Sequence, residues 1–237
     1  MSLAINKENY LLHKLHSLSG IIPVGFFMIQ HLTLNSFAIA GPEKFDGVIH
    51  FFETVPKHIL LGIAVGGIWL PLLFHAIYGF FIANRGMPNL SEKAYKFREN
   101  GYYTYQRITG VFLFAFLLYH VISTSITKYI TGSTKHIEYA SWADKLLANY
   151  GLLLILYMLG TLAAAYHLSY GIWMFCIRWG ITISEKSQAR MQKVATGAFV
   201  GLTLLAWSTL GGFFIHKTPL KSDAVTTAAI STPVLSR

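Results

Sequence analysis

Four histidines, His31, His75, His120 and His167, each fall in a different long apolar run that contains no Lys, Arg, Asp or Glu. At bilayer depth an imidazole must be hydrogen-bonded or coordinated, so each is a candidate functional group. Imidazole ligates zinc, copper, nickel and iron alike, and its neighbours narrow the choice. No Cys, Asp or Glu accompanies the four inside these runs, which disfavours the mixed ligand sets of most zinc and non-haem iron sites. Haem asks only for axial ligands, because the porphyrin supplies the other four positions. Two histidines on one iron close both axial positions to O2 or substrate, and such a centre moves electrons. A single mid-span histidine could instead bond a neighbouring helix or relay protons. Four on four segments point to two metal centres.

These ligands need helices to hold them. The chain has 237 residues, 54% hydrophobic and 12% charged, against a charged share of roughly 25% in soluble domains. Five stretches, at about 18–40, 58–83, 108–127, 147–177 and 194–215, reach the length of roughly 20 residues that a crossing needs. All 29 charged residues lie outside them. Backbone groups in lipid must be satisfied internally, which makes the spans helical. The expected fold is all-α, an integral membrane bundle of five transmembrane helices forming one domain over 1–216. Residues 217–237, rich in Thr, Ala and Ser, read as a flexible tail.

The net charge of +9 could signal nucleic acid, but the basic residues are scattered between apolar spans rather than arranged in a stripe. No nucleic-acid partner is expected. Lys7, Lys14, Arg85, Lys93, Lys96, Arg98, Arg107, Arg178, Lys186, Arg190 and Lys193 flank one side, eleven of the nineteen basic residues. The positive-inside rule puts the N-terminus in the cytoplasm and, after five crossings, the C-terminus outside. With four acids on the inner side and six outside, the two faces carry +7 and +2. A basic inner face suits anionic lipid and an acidic soluble partner. The first span imitates a cleavable signal peptide, but it is longer than such an apolar core, and Pro23, Gln30 and His31 interrupt it. The lone Cys176 excludes an internal disulfide and reads as a small packing residue.

Distances to the nearest charges estimate depth. His75 lies ten residues before Arg85 and His167 eleven before Arg178, both roughly 15 Å from the inner boundary at about 1.5 Å per residue. His31 lies thirteen residues before Lys44, and His120 thirteen after Arg107 and eight before Lys128, nearer the outer side. Depth alone therefore pairs His75 with His167 and His31 with His120. Both inner ligands begin the pattern His-x-x-Tyr-Gly, at His75 to Gly79 and His167 to Gly171. Glycine four residues on shares the histidine's face. Gly160, Ala163, Ala164 and Gly171 surround His167 at helical spacing and are expected to form a slot for a flat macrocycle. Gly197 and Gly201, on the span without a mid-membrane histidine, are expected to permit close helix packing. Between the first two spans, Phe45, Val48, Ile49 and Phe52 make the apolar stripe of a short helix expected along the interface.

The chain resembles the five-helix dihaem cytochrome b subunits of succinate:quinone oxidoreductases, the succinate dehydrogenases and quinol:fumarate reductases, over about 10–215. The resemblance is carried by Leu15-His-Ser-Leu-Ser-Gly20 with Ile22-Pro-Val-Gly25, by Ile29-Gln-His31, and by Leu73-Phe-His-Ala-Ile-Tyr-Gly79. Gln106-Arg-Ile-Thr-Gly110, Tyr119-His120, and His167 leading to Trp179-Gly-Ile-Thr182 complete it. It implies two haems b, the proximal held by His75 and His167 and the distal by His31 and His120. It implies a multi-pass protein of the bacterial cytoplasmic membrane, within a complex that can form a higher oligomer. Its partners would be a flavoprotein carrying FAD and an iron-sulfur subunit on the cytoplasmic face, with a membrane quinone, menaquinone in many dihaem relatives, as substrate. This chain has neither a dinucleotide-binding glycine motif nor a cysteine cluster, so succinate and fumarate chemistry falls to the partners.

His16, Ser17, Arg107 and Arg178 are candidates to meet anionic haem propionates at the inner span ends. Glu53, twenty-two residues after His31, matches an acidic residue that some relatives place at the quinone site, where a carboxylate could exchange protons. Some members also carry a glutamate two residues before the fourth ligand; this chain has Ala165 there, which puts a proton path through that position in doubt. Two alternatives are a dihaem cytochrome of another quinone-linked dehydrogenase and a histidine-dependent transporter. In bc-type cytochromes two helices carry two histidines each, and here no span does. The broken helices and inverted symmetry of transporters are not evident.

Overall fold

The computed structural model describes residues 7–85 and 98–216. The expected tail at 217–237 and the basic residues Lys93 and Lys96 lie outside the described residues. Five helices are long and apolar enough to cross a membrane: α1 (Tyr10–Ala40), α3 (Lys57–Arg85), α4 (Asn100–Thr131), α5 (Tyr139–Arg178) and α6 (Glu185–Ile215). A short α2 (Pro42–Glu53) joins α1 to α3. The described residues contain no strand, so the all-α bundle stands as expected. Ile22, Phe26, Leu70, Ile77 and Ile108 are more than half exposed on the bundle surface, the apolar exterior that lipid requires.

Three spans contain a wider π-helical turn, at Gly20–Gly25, Ala64–Trp69 and Ile122–Ile126. Pro23 sits within the first and Pro71 just after the second, and proline removes the N–H that would continue the regular ladder. The third has no proline, and hydroxyls serve its carbonyls instead. Thr124 Oγ1 donates to His120 O (2.5 Å) and Thr127 Oγ1 to Ile122 O (2.8 Å). The lipid-buried backbone is thereby satisfied immediately after a candidate ligand.

The α5 helix departs from the expected span at 147–177. Ala148 to Gly151 leave helical geometry, with φ of 50° at Asn149, 59° at Tyr150 and 74° at Gly151. The regular helix that carries His167 therefore begins after Gly151, and Tyr139 to Leu147 form a separate stretch of helix packed on the bundle end. At its far end α5 stops where Gly180 adopts φ 70°, while Ile181 N–H donates to Cys176 O at 2.9 Å. Glycine is suited to that left-handed position, and Ser184 then caps α6 by accepting from Ser187 N–H. The Trp179-Gly-Ile-Thr182 motif is this connection.

Two cores fill the bundle. One joins Leu113, Phe116, Leu146, Tyr157 and Phe213; the other gathers Tyr170, Trp173 and Ala195 with Tyr102, Tyr166 and Phe199. The stripe on α2 points inward, with Phe45 buried edge-on against Phe213 (5.1 Å) and Tyr139 (6.1 Å). This helix packs its apolar stripe on the end of the bundle. Asp46 Oδ1 accepts from Tyr139 N–H (2.8 Å), tying α2 to the start of α5. Gly197 and Gly201 meet no neighbour within 4 Å; the close crossing instead uses Gly212, where an added Cβ would stand 2.7 Å from Ala38 C and Ile39 N.

Candidate metal centres

The imidazoles of His75 on α3 and His167 on α5 lie with ring centres 6.1 Å apart and planes nearly perpendicular, at 86°. Those of His31 on α1 and His120 on α4 are 5.8 Å apart at 77°. Four separate spans thus deliver two pairs of facing rings. Among the described residues no group of three or more His, Cys, Asp or Glu gathers to hold a metal. Each site offers two imidazoles and no third ligand of those types.

Hydrogen bonds orient the first pair. His75 Nδ1 lies 2.8 Å from His16 O, and His167 Nδ1 lies 3.1 Å from Gln106 O. A carbonyl only accepts, so Nδ1 carries the proton in both rings and Nε2 keeps its lone pair for a ligand role. Gln106 also donates from Nε2 to His167 O at 2.8 Å, locking α4 against α5.

A shared device seats the two rings. Four residues after each accepting carbonyl comes a glycine, Gly20 and Gly110, so carbonyl and glycine lie one turn apart on one helix face. An added Cβ would stand 2.3 Å from His75 Cε1 at Gly20 and 2.9 Å from His167 Cε1 at Gly110. These glycines belong to the Leu15–Gly20 and Gln106–Gly110 motifs, and the matched spacing was visible in the sequence.

Two of the four residues of the expected slot around His167 face side chains of neighbouring helices. Phe116 occupies the face of Gly160, its ring 2.4 Å from where a Cβ would be, and Gln106 Nε2 lies 3.2 Å from the corresponding point at Gly171. Gly79 faces His16, whose Cε1 is 3.1 Å from its Cβ position. Small residues here make room for aromatic and amide groups of neighbouring helices. At Gly160 and Gly171 the face without a side chain therefore receives a group from a neighbouring helix.

The remaining candidates separate into two ends. His16 stacks on His75 with ring centres 4.1 Å apart at 10°, and its Nδ1 is buried without a hydrogen-bond partner. Ser17 Oγ accepts from Trp179 Nε1 at 3.1 Å, and Arg178 Nη1 donates to His13 O at 3.4 Å. His13, whose Nδ1 is also buried and unpartnered, joins this cluster unanticipated. The Arg107 guanidinium donates to Ala83 O and lies over the Tyr103 ring.

At the opposite end, Glu53 closes α2 with Oε1 accepting from Thr134 Oγ1 (2.8 Å) and Oε2 3.0 Å from His50 Nδ1. The hydrogen bond to His50, then that from Thr134, holds the Glu53 carboxyl below its ordinary range, and the carboxylate raises His50. Two residues beyond Thr134, His136 Nε2 donates to Thr124 O at 3.0 Å. Thr124 is the residue whose hydroxyl bonds His120 O. A polar chain therefore links the Glu53 surface to the backbone of His120.

Residues 95–210 match the family described as the succinate dehydrogenase/fumarate reductase transmembrane subunit. Over 208 residues the chain is 34% identical to the succinate dehydrogenase cytochrome b558 subunit of Bacillus subtilis (strain 168), which spans 88% of this chain and 98% of that protein. Identity sustained along nearly the whole of a relative, on a bundle whose five helices are built to cross a membrane, means that this chain belongs to the succinate dehydrogenase/fumarate reductase transmembrane-subunit family.

Proposed function

We propose that the chain is the membrane-anchoring cytochrome b subunit of a succinate dehydrogenase or fumarate reductase, holding two bis-histidine haems b. The observation that carries this reading is the separation within the two imidazole pairs, 6.1 and 5.8 Å between ring centres. Two imidazoles sharing one metal through bonds of about 2.0–2.1 Å place their ring centres roughly 6 Å apart. The donor chemistry fits too, since a site of two imidazoles suits a metal that brings its other four ligands with it.

His75 and His167 would hold the proximal haem, and His31 and His120 the distal one. Bound there, haem b supplies reversible one-electron transfer. His16, Ser17, Arg178 and Arg107 provide polar and cationic groups for the proximal propionates, and the His16 ring, with its unpartnered Nδ1, stacks on His75. The N-terminus and the Arg178 end face the cytoplasm, where an iron-sulfur subunit and a flavoprotein dock. The Glu53 end lies outside, where a membrane quinone, menaquinone by the resemblance, exchanges electrons with the distal centre. Glu53, held ionised by His50 and Thr134, offers the carboxylate that takes up or releases the quinone's protons.

A haem assay with a reduced-minus-oxidised spectrum on the purified complex tests the reading, with two haems b per chain expected. Replacing either member of a pair should remove one haem and leave the other. Absence of haem b, or a single haem lost by variants in both pairs, overturns it. Copurification of a flavoprotein and an iron-sulfur protein is expected, and purification without them would count against the dehydrogenase assignment. Glu53→Gln should lower quinone turnover with both haems in place; unchanged turnover removes Glu53 from the site.

A further inference from the structure

Three of the four candidate ligands have an identified partner at Nδ1, and one partner differs in kind. His75 and His167 face backbone carbonyls, His167 Nδ1 lying also 3.3 Å from the Thr109 hydroxyl, whereas His120 Nδ1 has no carbonyl among its identified partners and lies 3.0 Å from the hydroxyl of Tyr157. Carbonyls of helical backbone are strong acceptors that a side-chain change leaves in place. A phenol is a weaker acceptor, and one substitution removes it.

Tyr157 is held where it stands. It is 7% exposed, and its ring is edge-on to Phe116 at 5.3 Å and to Trp142 at 5.2 Å. Phe116 is in turn seated against Gly160, three residues beyond Tyr157 on α5, and lies nearly parallel to His120 at 18°. The phenol oxygen is thereby fixed at the imidazole edge by packing from α4 and α5.

Resting on the haem reading of His31 and His120, we infer that Tyr157 is a positioning residue of the distal centre, accepting the Nδ1–H of His120 and tuning that haem's potential. When Nε2 serves the metal, Nδ1 must carry the proton, and a hydroxyl oxygen can accept it. An acceptor at Nδ1 makes the imidazole more basic and favours the oxidised iron. Its loss raises the reduction potential, and a stronger acceptor lowers it.

The test is redox potentiometry of both haems in the intact complex, comparing the wild type with Tyr157→Phe and Tyr157→Gln. Tyr157→Phe should retain both haems and raise one midpoint potential while the other stays put. Tyr157→Gln, which offers an amide carbonyl, should place that same potential below the Tyr157→Phe value. Loss of one haem in Tyr157→Phe and its return in Tyr157→Gln would equally support an acceptor role. Unchanged potentials in Tyr157→Phe, or shifts of equal sign and size in both variants, overturn the inference. A wild-type complex without haem b overturns the underlying haem reading instead.

Discussion

The imidazole planes of His75 and His167 cross at 86°, close to perpendicular, and their Nδ1 atoms are anchored to carbonyls on different helices, α1 and α4. Each ring's rotation is set by a backbone group of the bundle, so the crossing angle is a property of the fold. Were two such imidazoles to bind one haem iron from opposite faces, each would act on a different member of the iron dxz/dyz pair and leave the two nearly equal in energy. If the proposed haems are bound, the His75–His167 pair is expected to give a highly anisotropic low-spin electron paramagnetic resonance signal when oxidised, with the 77° pair giving a somewhat less extreme one. An ordinary rhombic low-spin spectrum from both haems would contradict these ring orientations.

Gly20 and Gly110 should be intolerant of a methyl group for a specific reason. At both positions the nearest atom to an added Cβ is Cε1 of a candidate ligand, at 2.3 and 2.9 Å. The ring cannot withdraw without breaking its hydrogen bond to the carbonyl four residues earlier. Overpacking of this kind costs about 1–3 kcal/mol. On the haem reading proposed above, Gly20→Ala and Gly110→Ala are each expected to shift or abolish the signal of the His75–His167 centre while that of the His31–His120 centre persists. Gly197→Ala and Gly201→Ala, with nothing within 4 Å, should leave both spectra unchanged.

How much of this was legible beforehand depends on where charge marks the boundary. Arg85, Arg178, Lys44 and Lys128 end their apolar runs, so counting residues from them gave depth, and the rings matched in depth are adjacent in the fold. Packing inside the bundle follows a different rule. Which neighbour enters the face of a glycine depends on helix rotation, and hydropathy does not encode rotation when lipid surrounds apolar side chains on every span. Gly160 therefore read as haem space and holds Phe116 instead. Tyr157 was invisible for the same reason, since its partner sits on another helix. The break at Ala148 to Gly151 was hidden by flanking Leu147 and Leu152, although Asn149-Tyr-Gly151 is a turn signal.

His50 and Glu53 should form a pH-bounded contact. Glu53 raises the folded pKa of His50, so that contribution is present below 6.5, its ordinary value, and fades as pH rises through the raised value. His50 and Thr134 lower that of Glu53, whose contribution is present above 4.5 and fades as pH falls through the lowered value. Both operate together between 4.5 and 6.5. The two groups are solvent-exposed, so the effect is small and screened by salt. Thermal unfolding of wild type and Glu53→Gln across pH should show their largest gap inside this window at low ionic strength. A gap that keeps widening above it would refute the pairing.

Gly211 and Gly212 offer a paired test of the α1–α6 crossing. An added Cβ at Gly211 meets nothing within 4 Å, whereas at Gly212 it meets Ala38 C, Ile39 N and Ala38 O at 2.7 to 2.8 Å. All three atoms are backbone, so no side chain can swing aside, and Tyr139 Oη also donates to Gly212 O at 2.5 Å. Alanine at Gly211 is expected to be neutral or to gain up to about 1 kcal/mol from helix propensity. At Gly212 it must force the helices apart, at an overpacking cost of about 1–3 kcal/mol, and disturb the end of the span that carries His31. Gly212→Ala should therefore lower the thermal midpoint of the assembled complex and, on the haem reading proposed above, weaken haem retention at the His31–His120 pair, with Gly211→Ala matching the wild type. Equal behaviour of the two variants would place the α1–α6 contact elsewhere.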